Sequence, residues 1–448
     1  MSPGSSGRAP ARPVVHVLAL VLVVAGCAPA STASPGTPSQ ATAAATPPAT
    51  GSSIASPKPT DTAGPSGSPV TGLDWATAAD VARPADAFPI ESAPPSGPAG
   101  PGTAGHPGHF PGQAIIQDVA FHDGRWVAVG FVGPDPWRPV SWRSDDAEHW
   151  SLVELADAPS DEATFAVAVI ETDDGFVAAG RAGRQPAVWT SPDGSDWERH
   201  DVPVLGGADA WERITTLAAG RDGTLIGGGS VGPELLDRHA RFWRSADGGA
   251  TWTPVPDQQG FDGTEVTAIL PTGDGWLALG RIGNGQRTTG SLAWRSTAGT
   301  TWQRDDDPAL GQGWARNLAD PGDGSLVAVG SDTDELAAYA WRSTDEGRTW
   351  TRAPETKDLT YEGKIRMTDV LTTPAGFLSV GNVVGMQYGT GMGWISPDGI
   401  TWTRSGNEPA MGQSEPLAIA TDGTRVVAVG SFGAPDNYIP QVWLTPPG

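Results

Sequence analysis

Thr164-Phe165-Ala166-Val167-Ala168-Val169-Ile170-Glu171-Thr172-Asp173-Asp174-Gly175-Phe176-Val177-Ala178-Ala179-Gly180 decides the fold of this chain. Residues 164–169 alternate small and bulky side chains, Asp174-Gly175 turns, and residues 176–180 run back to a glycine. This reads as an antiparallel hairpin. Ala187 to Ser191 then forms a third short strand, Pro192 to Ser195 turns again, and Trp197 opens a fourth. The closing glycine recurs as Gly130, Gly180, Gly229, Gly280, Gly330, Gly381 and Gly430, at spacings of 50, 49, 51, 50, 51 and 49 residues. Nothing in the repeat region has a sustained helical period. One four-stranded unit copied seven times implies an all-β, seven-bladed β-propeller of antiparallel blades.

The repeats carry their own packing rules. Two positions before each glycine stand Ala128, Ala178, Gly227, Ala278, Ala328, Ser379 and Ala428, all small, as expected where neighbouring blades approach closely. Four positions before it, Trp126, Phe176, Leu225, Trp276, Leu326, Phe377 and Val426 share that sheet face. Blade seven supplies only three strands, over 416–421, 425–430 and 441–445. Upstream of the first repeat, however, Gly72-Leu73-Asp74-Trp75 resembles the turn Gly194-Ser195-Asp196-Trp197. The propeller is therefore expected to span 72–448, with 72–81 as the closing strand of blade seven. Residues 82–113 are then a Pro/Gly-rich connection to repeats that fill 115–448.

The N-terminal region reads differently. Arg8 and Arg12 precede an apolar run from Val14 to Ala25 that ends Val24-Ala25-Gly26-Cys27. The pattern is a secretory signal over 1–26 whose last residues resemble the bacterial lipobox, with Cys27, the single cysteine, as the lipidated residue. The apolar run is too short to span a bilayer. Residues 27–71 are nearly all Ala, Ser, Thr, Pro and Gly and are expected to form a disordered tether. The expected location is the outer surface of a bacterial cell membrane, reached through the lipid alone. Net charge is −23, and −25 once Arg8 and Arg12 are removed. That field disfavours nucleic acid as a partner. A monomer is expected.

Ser245-Ala246-Asp247-Gly248-Gly249-Ala250-Thr251-Trp252 and Ser343-Thr344-Asp345-Glu346-Gly347-Arg348-Thr349-Trp350 both fit S-x-D-x-G-x-T-W. Shorter relatives carry Asp193 and Asp398. The pattern resembles the Asp-box, or BNR repeat, of sialidase-like propellers. In that family the box lies on the face away from the active site. Recurrence across blades marks Asp193, Asp247, Asp345 and Asp398 as structural.

Function is expected in what does not repeat. Sixteen of the 19 tryptophans hold repeated positions, leaving Trp137, Trp211 and Trp314 in connections that emerge on one face. Near that face Arg213, Arg316 and Arg366 open inner strands at similar offsets, with Glu265 equivalent in blade four. They define a candidate anion cradle, or alternatively a set of ion pairs with neighbouring acids. The reading favoured here is a non-catalytic module binding a glycan or an envelope protein on the loop-rich face. The alternative is a sialidase-like glycoside hydrolase. For that activity the resemblance implies an arginine triad, mapped onto Arg213, Arg316 and Arg366, and a tyrosine nucleophile with a glutamate, mapped onto Tyr361 and Glu362. The chain departs from those enzymes in lacking the Phe/Tyr-Arg-Ile-Pro motif and in having seven blades rather than six. No histidine pair, nucleophile elbow or nucleotide motif suggests a metal, a serine triad or a cofactor. Asp305-Asp306-Asp307 reads as a solvated charge run.

Overall fold

A computed structural model describes residues 74–83 and 113–445, apart from 134–135, 157–161, 206–209, 233–237, 257, 259, 284–286, 385–388, 406–408 and 434–437. The signal, Cys27, the tether and most of the Pro/Gly-rich connection lie outside the described residues. The described chain is all-β. Seven four-stranded antiparallel blades form a propeller. In blade two the strands are Thr164–Thr172, Gly175–Ala182, Gln185–Ser191 and Glu198–Asp201, from the axis outward. The seven inner strands ring the axis, with Ser414–Thr421 of blade seven packed against Ala114–His122 of blade one.

Every inner strand breaks step at the same place. Gly130 faces Ile116 and Val129 faces Asp118, so Gln117 is one residue too many. The same bulge places Val167, Thr215, Thr267, Arg316, Thr368 and Leu417 in the other blades. The extra residue bends the strand and drives the carbonyl ahead of it onto the facing strand. This explains the seven-fold glycine. A methyl group at Gly330 would lie 1.9 Å from the Trp314 carbonyl oxygen, and one at Gly180 1.9 Å from that of Phe165.

The bulges also fasten the seams between blades. Thr215 Oγ1 donates to the Val266 carbonyl (3.1 Å), Thr267 Oγ1 to Ala315 (3.0 Å) and Thr368 Oγ1 to Pro416 (3.0 Å), each in the next blade. One residue further on, Asp118 accepts from Val119 N–H and, across the seam to blade two, from Val169 N–H, both at 2.8 Å. Asp369 accepts from Val370 N–H, from Ile419 N–H of blade seven and from Asn317 Nδ2 of blade five. Burial pushes both carboxyls up to about 7 despite these hydrogen bonds, and Asp369 adds repulsion at Asp118. Asp369 is 7% exposed and Asp118 is partly buried.

Tryptophans lock the outer half of each blade. The third-strand residues Trp142, Trp189, Trp243, Trp294, Trp341, Trp394 and Trp443 are fully buried. Each stabilises the fold by up to roughly 4–6 kcal/mol before ordering entropy, from about 150–250 Å² at 25 cal/mol/Å². Six of them also donate their indole N–H to the connection that leads into their own blade: Trp189 to Ala156, Trp341 to Ala309 and Trp443 to Ala410, for example.

The ring is closed by its N-terminal segment, and in two steps rather than one. Ala76–Thr77 pairs antiparallel with Trp443 and Leu444, completing blade seven, and Trp75 packs in the same cluster as Trp443. The expected strand does not continue to residue 81. Asp80–Val81 instead lies parallel to His149 and Trp150 on the outer edge of blade one. Trp142 then donates to the Ala82 carbonyl at 2.9 Å, treating this segment as its blade's incoming connection. The reason is route: the chain must travel on to Ala114, and the open edge of blade one offers unpaired backbone groups on the way.

Two outcomes test this account. Gly330→Ala should cost about 3 kcal/mol or more, since backbone must move, while Gly324→Ala, at φ 84° in open space, should cost only about 1 kcal/mol. Equal losses in urea melts would show that the carbonyl contact is not limiting. The buried carboxyls bind protons in the fold to about pH 7 but only to the ordinary 3.8 when unfolded. Their contribution is complete below about pH 4 and is lost as pH rises through 7. The melting temperature should therefore fall between pH 4 and 8, and less steeply in Asp118→Asn/Asp369→Asn, a change for which Asn317 is the natural precedent in blade five. Parallel pH profiles for the two proteins would refute it.

Candidate functional site

The two faces of the propeller differ in kind. On one, strands one to two and three to four are joined by tight turns. There Ser245 Oγ donates to Asp247 (2.8 Å), Gly249 N–H donates back to Ser245 Oγ (2.9 Å), and Asp247 accepts from Thr251 N–H (2.9 Å) and Thr251 Oγ1 (2.6 Å). Trp252 Nε1 closes the turn on the Gly249 carbonyl. Asp345 repeats this set on Ser343 and Thr349, and Asp398 on Ser396, Ile400 and Thr401. Asp193 accepts from Ser195 N–H. The Thr251 hydroxyl, more than any other group, holds the Asp247 carboxyl below the usual carboxylate range. These aspartates are spent within their own turns.

The other face carries the longer connections and opens over the channel. Two cavities of about 420 and 390 Å³ meet there and share Gln117, Thr215 and Glu265. The first is walled by Phe165, Arg181, Arg213 and Arg238, the second by Trp314, Arg316 and Thr368. A larger hollow of 580 Å³ lies on the outer rim of blade four, around Trp302 and Arg304. It holds no comparable convergence of charge.

The chemistry of the mouth comes from one level of the ring, where the residue two positions ahead of each bulge residue faces the residue after each repeat glycine. The pairs include Phe165 with Arg181, Arg213 with Ser230, Glu265 with Arg281, Trp314 with Ser331, and Arg366 with Asn382. Phe165, Arg181, Arg213 and Glu265 of this level line the first cavity, and Glu265 and Trp314 the second. The structure thus corrects the sequence alignment of the arginines. Arg213, Glu265 and Arg366 are equivalent, as expected, but the blade-five equivalent is Trp314. Arg316 is the bulge residue itself.

The three arginines do not converge on one pocket. They divide between two carboxylates. Glu265 receives Arg213 (2.8 Å), Arg281 (2.7 Å), Arg238 and the Ser230 hydroxyl (3.1 Å). Glu335 receives Arg316 (2.6 Å), Lys364 (3.0 Å) and Arg366 (3.1 Å). Burial would raise the Glu335 carboxyl, but Arg366, the Lys364 hydrogen bond and Arg316 outweigh it and hold it low. Burial, with Arg366 beside it, lowers Arg316 to about 9, which leaves it a cation at neutral pH.

The unrepeated tryptophans serve as platforms for arginine. Arg316 lies 3.4 Å and Arg281 5.0 Å from the centre of the Trp314 ring; Arg181 and Arg184 lie 4.5 and 5.4 Å from that of Trp211. Trp137 meets Phe131 edge-on at 5.1 Å, Phe131 meets Phe165 at 4.8 Å, and Arg181 lies over Phe165 at 4.9 Å. An aromatic and cationic ladder therefore runs from blade one to blade three. Such contacts fix guanidinium planes where desolvated rings strengthen the attraction. Tyr361 is 44% exposed and lines neither cavity; Glu362 beside it is also exposed. The large exposed hydrophobics, Val204, Leu205, Leu336, Tyr361 and Phe432, all sit on this face.

Arg181, Arg281, Lys364 and Glu335 escaped the sequence reading, although Arg181 and Arg281 had a visible signature. Each follows a repeat glycine directly, at a position otherwise held by Phe, Ser or Asn. Among the described residues, no group of three or more His, Cys, Asp or Glu side chains is arranged to hold a metal ion.

No family model matches the chain, and no curated protein matches it. Its fold is similar to a YCF48 bound to D1 peptide, at 14% identity and TM-score 0.49, covering 74% of this chain and 92% of that one. It is similar also to a GH93 α-L-arabinofuranosidase of Fusarium graminearum in complex with arabinobiose, at 15% identity and TM-score 0.42, covering 62% and 91%. A Trypanosoma rangeli sialidase in complex with sialic acid aligns at 12% identity and TM-score 0.42 over 74% of this chain, which spans about half (54%) of that enzyme. These likenesses concern the propeller fold alone.

Proposed function

We propose that this chain is a binding module tethered outside a bacterial cell membrane by a lipid on Cys27, and that its channel mouth receives an acidic segment of an envelope or extracellular protein. One observation carries the reading. On a chain of net charge −23, six cations, Arg213, Arg238, Arg281, Arg316, Lys364 and Arg366, gather on one face around two carboxylates, Glu265 and Glu335. Guanidinium groups held on aromatic rings suit planar carboxylate recognition. The exposed apolar side chains on the same face supply the contact area that protein partners use.

The hydrolase reading has less support. A sialidase-like site would bring the three arginines together with the tyrosine and its glutamate, whereas Arg213 pairs with Glu265, Arg316 and Arg366 pair with Glu335, and Tyr361 and Glu362 line neither cavity. Among the described residues lining the two cavities, Glu265 is the one carboxylate, and guanidinium groups already engage it.

The test is binding of a fluorescent hexaglutamate peptide with an amidated C-terminus, at low and high salt. Arg213→Gln and Trp314→Ala should each weaken binding about tenfold without unfolding the protein, and salt should weaken it further. Asp247→Ala should lower the melting temperature and leave affinity unchanged. The reverse pattern would place the site on the wrong face. The anchor is tested separately. Cys27→Ser should release the protein from the membrane fraction, and an unlipidated mature N-terminus at another residue would end that part of the reading.

A further inference from the structure

Glu335 is an odd source for a structural ion pair. It sits in the turn between the second and third strands of blade five, in the left-handed backbone region at φ 61°, which disfavours a side chain of its length. Its neighbour Leu336 is 57% exposed. The turn does not depend on the carboxylate. Leu336 N–H donates to Asp332 Oδ1 (2.6 Å), and the Glu335 carbonyl accepts from Ile365 N–H (2.7 Å). The backbone is pinned, so the side chain can leave by rotation alone.

The groups it touches are in excess. Three cations meet one carboxylate. Arg366 spends its Nε on Asn382 Oδ1 (2.8 Å), and Asn382, 1% exposed, then has its Nδ2 donor left without a partner among the described residues. A buried amide donor beside Arg366 is a cost to the free protein that a second acceptor would remove.

We propose that Arg316, Lys364, Arg366 and Asn382 form a carboxylate-binding site, and that Glu335 is a tethered competitor which occupies it until a partner's carboxylate displaces the side chain. The proposal rests on the binding function inferred above and adds a regulator to it. Displacement exchanges one carboxylate for another, so charge is conserved at the site. The incoming group must compete with a tethered one, whose effective concentration is of millimolar order. That requirement favours a partner presenting several acidic groups, or an acidic group beside an apolar one that can rest on Leu336 and Tyr361. A single carboxylate in solution competes only once its own concentration and affinity match that tethered group.

The experiment compares wild type, Glu335→Gln and Glu335→Gly. The glycine variant suits the positive φ and guards against a folding defect in the first. Two probes separate the sources of the carboxylate: hexaglutamate amide, with side-chain groups only, and a neutral hexapeptide with a free C-terminus. Both variants should bind at least one probe about tenfold more tightly than wild type, and that probe should raise their melting temperature more than it raises that of wild type. Adding Arg366→Gln to either variant should remove the gain. If the variants bind no more tightly than wild type while Arg213→Gln still weakens binding, the competitor is refuted and the binding function stands. If neither wild type nor the variants bind either probe, both fall.

Discussion

A backbone carbonyl pressed against a residue without a side chain is the contact on which this propeller depends. The bulge in each inner strand puts an extra residue at the narrowest part of the ring and tilts the preceding carbonyl into the second strand. Only glycine leaves room for it. That one substitution-intolerant contact sets the bend of the strand and the position of the next blade's partner groups. It also directs the bulge residue's side chain, which is why Thr215, Thr267 and Thr368 can all reach a neighbouring carbonyl. Those hydrogen bonds recur around a closed ring, beside buried apolar clusters that span neighbouring blades.

The same geometry creates the mouth. Two residues ahead of each bulge residue, side chains leave the constraints of close blade packing and line the mouth. The fold asks nothing particular of them, so their identities differ from blade to blade: Phe165, Arg213, Glu265, Trp314, Arg366. Charge collects there because carboxylates and guanidinium groups half out of water need one another. Aromatic rings collect with it because a guanidinium plane can rest on them while its edges stay free to bond. On the opposite face Asp247, Asp345 and Asp398 are engaged within their own turns, and other acids there pair with arginines, Asp274 with Arg348 and Asp145 with Arg143.

How much of this could be read beforehand depends on what each feature needs. The blade count, the strand order and the closing role of residues near Trp75 follow from spacing and alternation, which are local properties of the chain. The bulge does not. Nothing in Ile116-Gln117-Asp118 distinguishes a bulged strand from a regular one, and Gly130 alone says only that something comes close. The equivalence of Trp314 with Arg213 was legible, since each stands 16 residues before its repeat glycine, Gly330 and Gly229, whereas Arg316 stands 14 before. The handover at Asp80–Val81 from blade seven to blade one was as hidden as the bulge, since a strand edge is satisfied by whatever backbone passes along it.

Sequence by itself determined the period, and with it the fold: seven glycines at nearly equal spacing permit one architecture, because each hairpin unit leaves a face that only the next can cover. It also separated repeated tryptophans from unrepeated ones. Tertiary structure alone decided the partners. Glu265 and Glu335 lie 52 and 19 residues from the arginines they first engage, Arg213 and Arg316, and Arg281 meets Trp314 only because blade four turns toward blade five. Those distances are settled by how far the inner strands bend and how the ring closes, and no run of residues along the chain records either quantity.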